Sequence, residues 1–262
     1  MALITESTLR AMLRSGIPNP YVVRADDKFT PAAIDFLKGR GIKVEAFQSS
    51  DALTPNSVRS NELSISVGVS NRHVHLSQED VEKLYGVGYQ LTPLRPLSQP
   101  GQFAAKETVT LLGPKGNIKG VRILGPARGA SQVEISKTDG FALGIHPPIR
   151  VSGSLEGTPG VTLIGSSGFV SLPKGVIVAK CHVHMSDADA RTSGVQDGDS
   201  LILQMRGERA LIFPDVIVRV SPTYALDFHI DLDEANAANL STGDVVHLIG
   251  KNGKLFSTTG RW

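Results

Sequence analysis

The feature that most constrains this 262-residue chain is a motif that occurs twice in the same local setting. The stretch from Val67 to Glu82 contains Ser70-Asn-Arg-His-Val-His-Leu-Ser, and the stretch from Val176 to Arg191 contains Ala179-Lys-Cys-His-Val-His-Met-Ser. In both copies the serine after the histidines opens an S-x-x-D pattern, Ser77 with Asp80 and Ser186 with Asp189, which marks a helix N-terminus. A strand bearing two histidines therefore runs into a helix each time. The repeat continues downstream. Residues Thr108 to Ile123 and Leu201 to Val220 each pair hydrophobic runs around a Gly-containing turn, and Gln132-Val-Glu-Ile-Ser parallels Leu226-Asp-Phe-His-Ile-Asp. Under that pairing Glu134 falls opposite His229. A chain that repeats itself on this scale folds as two copies of one body, with equivalent sites brought together at a pseudo-twofold axis.

The body is expected to be built from strands. With 27 Gly and 15 Pro against 5% aromatics, the chain is punctuated into short elements joined by tight turns, as in barrels and sandwiches. Short β-like runs cover Ile65 to Val69, Glu107 to Leu112, Lys119 to Ile123, Ile149 to Val151 and Val161 to Ile164. A second group covers Val176 to Val183, Ser200 to Met205, Ala210 to Phe213, Val216 to Val220 and Val245 to Ile249. Upstream, Thr5 to Ser15 and Thr30 to Lys38 read as two short helices, the second with Thr30 as N-cap, Pro31 at its first position and Gly39 or Gly41 at its end. The expected fold is mainly β with short helices: two similar β-barrel domains related by a pseudo-twofold, at 63–172 and 173–262. They follow a helical N-terminal extension at 1–47 and a polar linker at 48–62.

Alternate residues of a strand point to the same side, so histidines at i and i+2 present both imidazoles to one ion. A third ligand from a distant strand leaves coordination positions open, as catalytic zinc sites require. His73, His75 and Glu134 fit one such set, and His182, His184 and His229 fit another. Five of the seven histidines thus fall in the repeated contexts; His146 and His247 read as structural. Because one set ends in a carboxylate and the other in an imidazole, the two metals should differ in charge environment. The set nearer Arg128 is then the better place for a chemical step.

Other chemistries have less support. Strand parity turns Cys181 away from His182 and His184, as an inert buried thiol, and no G-x-S-x-G elbow marks a serine nucleophile. A net charge of +2 with no Lys/Arg block gives no reason to expect nucleic acid or an anionic membrane as partner. The N-terminal residues lack a signal-peptide pattern and no run approaches a membrane span, so a soluble, unexported protein is expected. A single cysteine suits reducing cytosol. Arg128, on the small-residue loop Gly125-Pro-Ala-Arg-Gly-Ala-Ser, is placed to grip phosphate or carboxylate with its planar fork.

These segments together, Ser70 to Ser77, Gly125 to Arg128, Gln132 to Ser136, Cys181 to Ser186 and Asp227 to Asp231, resemble the PduL-type phosphate acyltransferases over roughly Ser64 to Gly250. The resemblance implies a two-barrel enzyme with two zinc ions that interconverts acyl-CoA plus phosphate with acyl phosphate plus CoA. One zinc would be held by His73, His75 and Glu134, the other by His182, His184 and His229, with Arg128 as the phosphate-binding residue. Contacts to coenzyme A would fall on Val69, Ser70, Asn71, Lys115, Arg122 and Asn236. It further implies a bacterial cytoplasmic enzyme working inside a microcompartment. The N-terminal extension would then be a docking element for the shell or for co-encapsulated enzymes, and a homo-oligomer is compatible with this. Two other readings of the residues stand beside it: a metallohydrolase of thioesters or phosphoesters, and a non-catalytic metal-binding scaffold module.

Overall fold

The computed structural model describes residues 3–14, 17–19, 21–23, 28–46 and 63–256. The chain divides into two compact units, Met1–Asn61 and Glu62–Trp262.

In the first unit, the helix Glu6–Ala11 is capped by Thr5, whose hydroxyl accepts the Thr8 N–H, and it tightens into a 3-10 turn at Met12–Arg14. The helix Pro31–Lys38 begins after Thr30 with proline in its first turn, as its sequence predicts. The unit also has two pairs of parallel strands, Leu3–Ile4 with Lys28–Phe29 and Tyr21–Val23 with Val44–Ala46. The extension therefore holds the two expected helices and, beside them, short paired strands. Strands of two or three residues are too short to show a period-2 alternation. Ile4, Leu9, Ala33, Phe36 and Leu37 form its core, and the guanidinium groups of Arg10 and Arg40 both lie over the Phe36 ring. Residues 48–62, expected as a linker, lie outside the described residues.

The second unit consists of two sheets and helices of seven or eight residues. One sheet has seven strands in the order Ser200–Met205, Leu211–Val220, His182–Met185, Asp227–Asp231, Ser64–Ser70, Val245–Lys251 and Lys254–Leu255. Ser200–Met205 also pairs with Val245–Lys251, which closes the first six into a barrel. The other sheet curls into a half-barrel, in the order Ile149–Arg150, Val176–Ala179, Gln132–Glu134, His73–His75, Asn117–Gly125, Phe103–Leu112, Val161–Ile164 and Phe169–Leu172. A ninth strand, Pro93–Pro96, lies on Phe103–Leu112. Each sheet encloses its own apolar core, centred on Phe228, Met185 and Leu203 in one and on Leu111, Ile123 and Leu163 in the other.

The sheets do not divide at residue 172. Ser64–Ser70, from the first half of the chain, pairs with Asp227–Asp231 and Val245–Lys251 of the second half. Val176–Ala179, from the second half, pairs with Gln132–Glu134 and Ile149–Arg150 of the first. Each half donates the strand that precedes its own H-x-H, so the chain crosses from one sheet to the other between Ser70 and His73, and again between Ala179 and His182. What reads as one strand from Val176 to Val183 is thus two, in different sheets. Conversely, Ala210 to Phe213 and Val216 to Val220 merge into the single strand Leu211–Val220. Pro214 is accommodated there because it sits where the register with Leu201–Leu203 shifts and the ladder needs no N–H.

Barrel closure concentrates on Ser200–Met205, where fully buried Leu203 faces Phe213 on one neighbour and Leu248 on the other. Leu203→Ala is expected to lower the unfolding free energy by about 2–5 kcal/mol, measured by urea denaturation.

Candidate metal and anion site

The two crossings place the histidine strands at the border between the sheets, where each meets its third partner by register. His73 lies directly opposite Glu134 on an antiparallel neighbour, and His182 lies opposite His229 on another. The equivalence of Glu134 and His229 inferred from the repeat is reproduced in the pairing. The side-chain ligand atoms of His73, His75 and Glu134 lie within 4.8 Å of one another, as do those of His182, His184 and His229.

The crossings also set the tautomers. A carbonyl can only accept, so where His73 Nδ1 lies 2.8 Å from Asn71 O and His182 Nδ1 lies 2.8 Å from Lys180 O, both rings carry their proton on Nδ1. Their Nε2 lone pairs are left facing inward. In the first set that nitrogen meets Glu134 Oε2 at 3.4 Å. In the second it meets His184 Nε2 at 3.1 Å, while His184 Nδ1 is buried without a hydrogen-bond partner among the described residues. Donor atoms this close, several of them acceptors facing acceptors, match the ~3.3 Å edges of a tetrahedron around an ion at ~2.0–2.1 Å. The residues present fit a divalent metal in each set.

Electrostatics agree. Burial, followed by the charges of His73 and Arg128, lowers the His75 pKa to about 3. Burial and then His229 lower His182 to about 4, and burial with His182 and His229 lowers His184 to about 2. These imidazoles are neutral at pH 7, as metal ligands must be. Burial pushes Glu134 upward, but His73, His75 and His182 outweigh it and hold the carboxyl below its ordinary value. Gln132 steadies Glu134: its amide donates to Glu134 Oε1 and to Ser152 Oγ, and its oxygen accepts the Gly153 N–H.

Both sets open on one cavity of about 790 Å3, within the ~300–1,000 Å3 range of small-molecule sites. Arg128 lies in it with Nη2 donating to His75 Nε2 at 3.2 Å. Its loop is tied down by the Arg128 N–H to Leu76 O bond of 2.9 Å. Val69, Ser70, Asn71 and Arg122 line the same cavity; Arg122 stands beside His73 in register and donates to Ala105 O and Lys106 O. Lys115 and Asn236 do not. Lys115 is exposed in the turn between Phe103–Leu112 and Asn117–Gly125, and seven residues at ~3.3 Å per residue separate it from Arg122 by about 20 Å. Asn236 is exposed on the helix Leu232–Ala238. Cys181 packs against the barrel core, and burial pushes its thiol up to about 12, as parity predicts. His146 stacks edge-on to Phe141, outside the cavity lining.

The sequence reading missed several cavity residues. Asp227, opposite His184, is a buried carboxylate beside the second set. Arg219 lies beside His184 in register. Tyr224 sets its ring edge-on to His184 at 4.3 Å, on a loop clasped by buried Gln99, which bonds both the N–H and the carbonyl of Ala225. Asp227 and Gln132 had a signal, since each stands two residues before a named ligand on the same strand face. Tyr224 and Gln99 lie on irregular segments and had none.

A family model of phosphate propanoyltransferases matches residues 66–241. Among curated proteins, the phosphate propanoyltransferase of Thermotoga maritima is 59% identical over 186 residues, 71% of this chain and 89% of the relative. That of Clostridioides difficile is 52% identical over 187 residues, 71% and 90% of the two chains. That of Salmonella typhimurium is 53% identical over 175 residues, 66% and 83%. The chain belongs to the phosphate propanoyltransferase family. It is accordingly an acyltransferase, and all six histidine and glutamate positions of the two sets lie within the residues matched to the phosphate propanoyltransferases. The unit Met1–Asn61 lies outside them.

The depressed imidazole pKa values carry a sign for the metal-free protein. Below the ordinary value of 6.5, the unfolded chain takes up protons at His75, His182 and His184 that the folded chain refuses. Stability should therefore fall as pH drops from 6.5 towards 4. Thermal unfolding of chelator-treated protein across that window is expected to show a declining Tm, and His184→Phe should flatten the decline.

Proposed function

We propose that this chain transfers a short acyl group, propanoyl or acetyl, from coenzyme A to inorganic phosphate and catalyses the exchange in both directions. Two zinc ions would be held by His73, His75 and Glu134 and by His182, His184 and His229. The observation that carries this reading is Arg128, an anion-gripping side chain bonded to a histidine of one ligand set inside a cavity that the other set also lines.

When bound, the zinc ions supply Lewis-acid polarisation of the thioester carbonyl and stabilisation of the leaving thiolate. The chain's own residues do the positioning. Arg128 presents its fork to phosphate, turning the nucleophilic oxygen towards the thioester as the new C–O bond forms and the C–S bond breaks. With the His75 lone pair committed to a zinc ion, the Arg128 guanidinium beside it would be released to pair with the phosphate dianion. Arg95, Arg122 and Arg219 also line the cavity, and their charges favour the phosphates of coenzyme A. Val69, Ser70 and Asn71 offer backbone and small polar groups beside His73, where the thioester end would lie. No acyl-enzyme is needed, which agrees with the suppressed acidity of Cys181.

Arg128→Ala is expected to lower phosphate-dependent release of CoA by about 100-fold or more, as loss of one charge-stabilising group does, while metal analysis finds the same zinc content. Thiol release from propanoyl-CoA and acetyl-CoA, with and without phosphate, measures it; undiminished turnover in the variant would sink the assignment. Free acid rather than acyl phosphate as product would indicate a hydrolase.

The same reading places the enzyme in a bacterial microcompartment, with the N-terminal unit as its docking element. Support comes from that unit's own apolar core and its position outside the family-matched residues. Deleting residues 1–60 should leave turnover intact and abolish co-purification with shell proteins; continued encapsulation of the truncated enzyme would count against the docking role.

A further inference from the structure

Among the described residues, Tyr224 is the single phenylalanine, tyrosine or tryptophan lining the cavity that the two ligand sets share. Its ring centroid lies 4.3 Å from that of His184, with the two planes at 83°. Tyr224 belongs to the loop between the strands Leu211–Val220 and Asp227–Asp231. That loop is anchored where the Ser221 N–H donates to Met185 O at 3.1 Å, and it turns where the Tyr224 N–H donates to Ser221 O at 3.0 Å. Leu226, two residues on, also lines the cavity and packs against the barrel core.

The loop is held in place by a residue of the other sheet's connections. Gln99, only 3% exposed, donates its side-chain amide to Ala225 O at 3.1 Å and accepts the Ala225 N–H at 3.2 Å. One carboxamide thereby satisfies both backbone groups of the residue next to Tyr224, which neither a carboxylate nor a hydrocarbon can do. Gln99 is itself fixed by a tight turn, in which the Gln102 N–H donates to Gln99 O at 3.2 Å. Pro100 and Gly101 take the central positions, with Gly101 at φ +76°, the pattern of a type II turn. This turn joins Pro93–Pro96 to Phe103–Leu112 of the half-barrel, whereas Tyr224 belongs to the closed barrel. The two sheets are therefore pinned together at the residue beside the ring.

The charged parts of the reaction have partners beside the first ligand set, where Arg128 bonds His75 and Arg122 stands next to His73. The acyl chain has different needs. A hydrocarbon of two or three carbons makes no hydrogen bond and is located by apolar surface. On the side of the second set the lining holds Tyr224 and Leu226 together with Lys180 and Arg219. The two cations offer a saturated chain nothing, so the ring and its neighbouring leucine are the surface left for it. We propose that the Tyr224 ring is the end wall of the acyl subsite and sets the chain length the enzyme accepts, with Gln99 as the positioning residue that holds the wall. This rests on the transacylation reading above and adds its specificity determinant.

The test uses the full-length, metal-loaded enzyme with acetyl-, propanoyl-, butanoyl- and hexanoyl-CoA at saturating phosphate. Ratios of kcat/KM between two acyl-CoAs on one preparation cancel any difference in metal content or folded fraction. Tyr224→Ala is expected to raise the hexanoyl-to-propanoyl ratio by about 10-fold or more, the order expected when an apolar pocket admits further methylenes. Tyr224→Phe is expected to keep the wild-type ratio, because the ring is the wall. Gln99→Glu keeps the side chain's length but turns an acceptor towards Ala225 O, and it is expected to move the ratio in the same direction as Tyr224→Ala. An active Tyr224→Ala enzyme with wild-type ratios overturns the acyl wall, and an active Gln99→Glu enzyme with wild-type ratios overturns the positioning role. Should Tyr224→Ala fail to fold, Tyr224→Trp decides: the larger ring lowers the propanoyl-to-acetyl ratio if this residue is the wall, and an unchanged ratio refutes it. Wild-type enzyme that releases no CoA from any of the four in the presence of phosphate overturns the transacylation reading itself, a failure distinct from an unchanged ratio.

Discussion

An imidazole offers a lone pair at Nε2 only when something holds its proton at Nδ1, and in this protein the backbone does so twice with the same device. Where the chain leaves one sheet for the other, it passes through Asn71 and Arg72 in the first copy and Lys180 and Cys181 in the second, and these residues stand outside the strands. The carbonyls of Asn71 and Lys180 accept from the histidines two positions later, so a backbone group in need of a partner finds it in the ring that must be oriented. Exchange of strands between the sheets, tautomer selection and placement of the histidines at the sheet border are one arrangement. A histidine strand embedded in a continuous ladder would have neither the carbonyl nor the position.

The arrangement is electrostatically unfavourable until a cation enters. Buried neutral imidazoles, a carboxylate facing a nitrogen lone pair and an orphaned ring nitrogen are features that a core built for stability alone would exclude. They persist because their backbones are fixed from both sides: His73–His75 between Gln132–Glu134 and Asn117–Gly125, and His182–Met185 between Asp227–Asp231 and Leu211–Val220. The intervening residues of the motifs, Val74 and Val183, are wholly buried in the two cores. One side chain of each H-x-H thus anchors the strand in the barrel while its two neighbours face the cavity. The apolar core supplies the rigidity that a polar constellation of this kind requires.

Much of this was readable from residue order. Strand parity assigned His73 and His75, His182 and His184 to common faces and turned Cys181 into the core. The serine caps ended both histidine strands in helices, at Gln78–Tyr85 and Asp187–Ser193. The internal repeat matched Glu134 to His229. What local pattern does not encode is the partner. Ser64–Ser70 and Val176–Ala179 read as strands equally well in either sheet, because a hydrophobic alternation specifies which face is buried and not which neighbour supplies the hydrogen bonds. For that reason the exchange of strands across residue 172 was not readable, and Lys115, which the resemblance counted among the coenzyme A contacts, stands in a hairpin turn outside the cavity lining. Gln99 and Tyr224 reach the site from loops whose geometry only tertiary contacts determine.

The repeat invited the view that the two metals differ because one set ends in Glu134 and the other in His229. Yet a buried carboxylate, Asp227, stands beside the second set as Glu134 stands in the first, and each set has an arginine on the cavity wall, Arg128 or Arg219. Charge is then nearly balanced across the pseudo-twofold, and the asymmetry must lie elsewhere. It lies in what each carboxylate's strand neighbour does. In the first set Gln132 anchors Glu134 through its amide; in the second, the corresponding position is itself the acid and lies against His229. Equivalent positions of the two copies thus carry an amide that steadies a neighbouring carboxylate and a carboxylate that steadies a neighbouring imidazole, so the duplicated scaffold supports its two sets by different means.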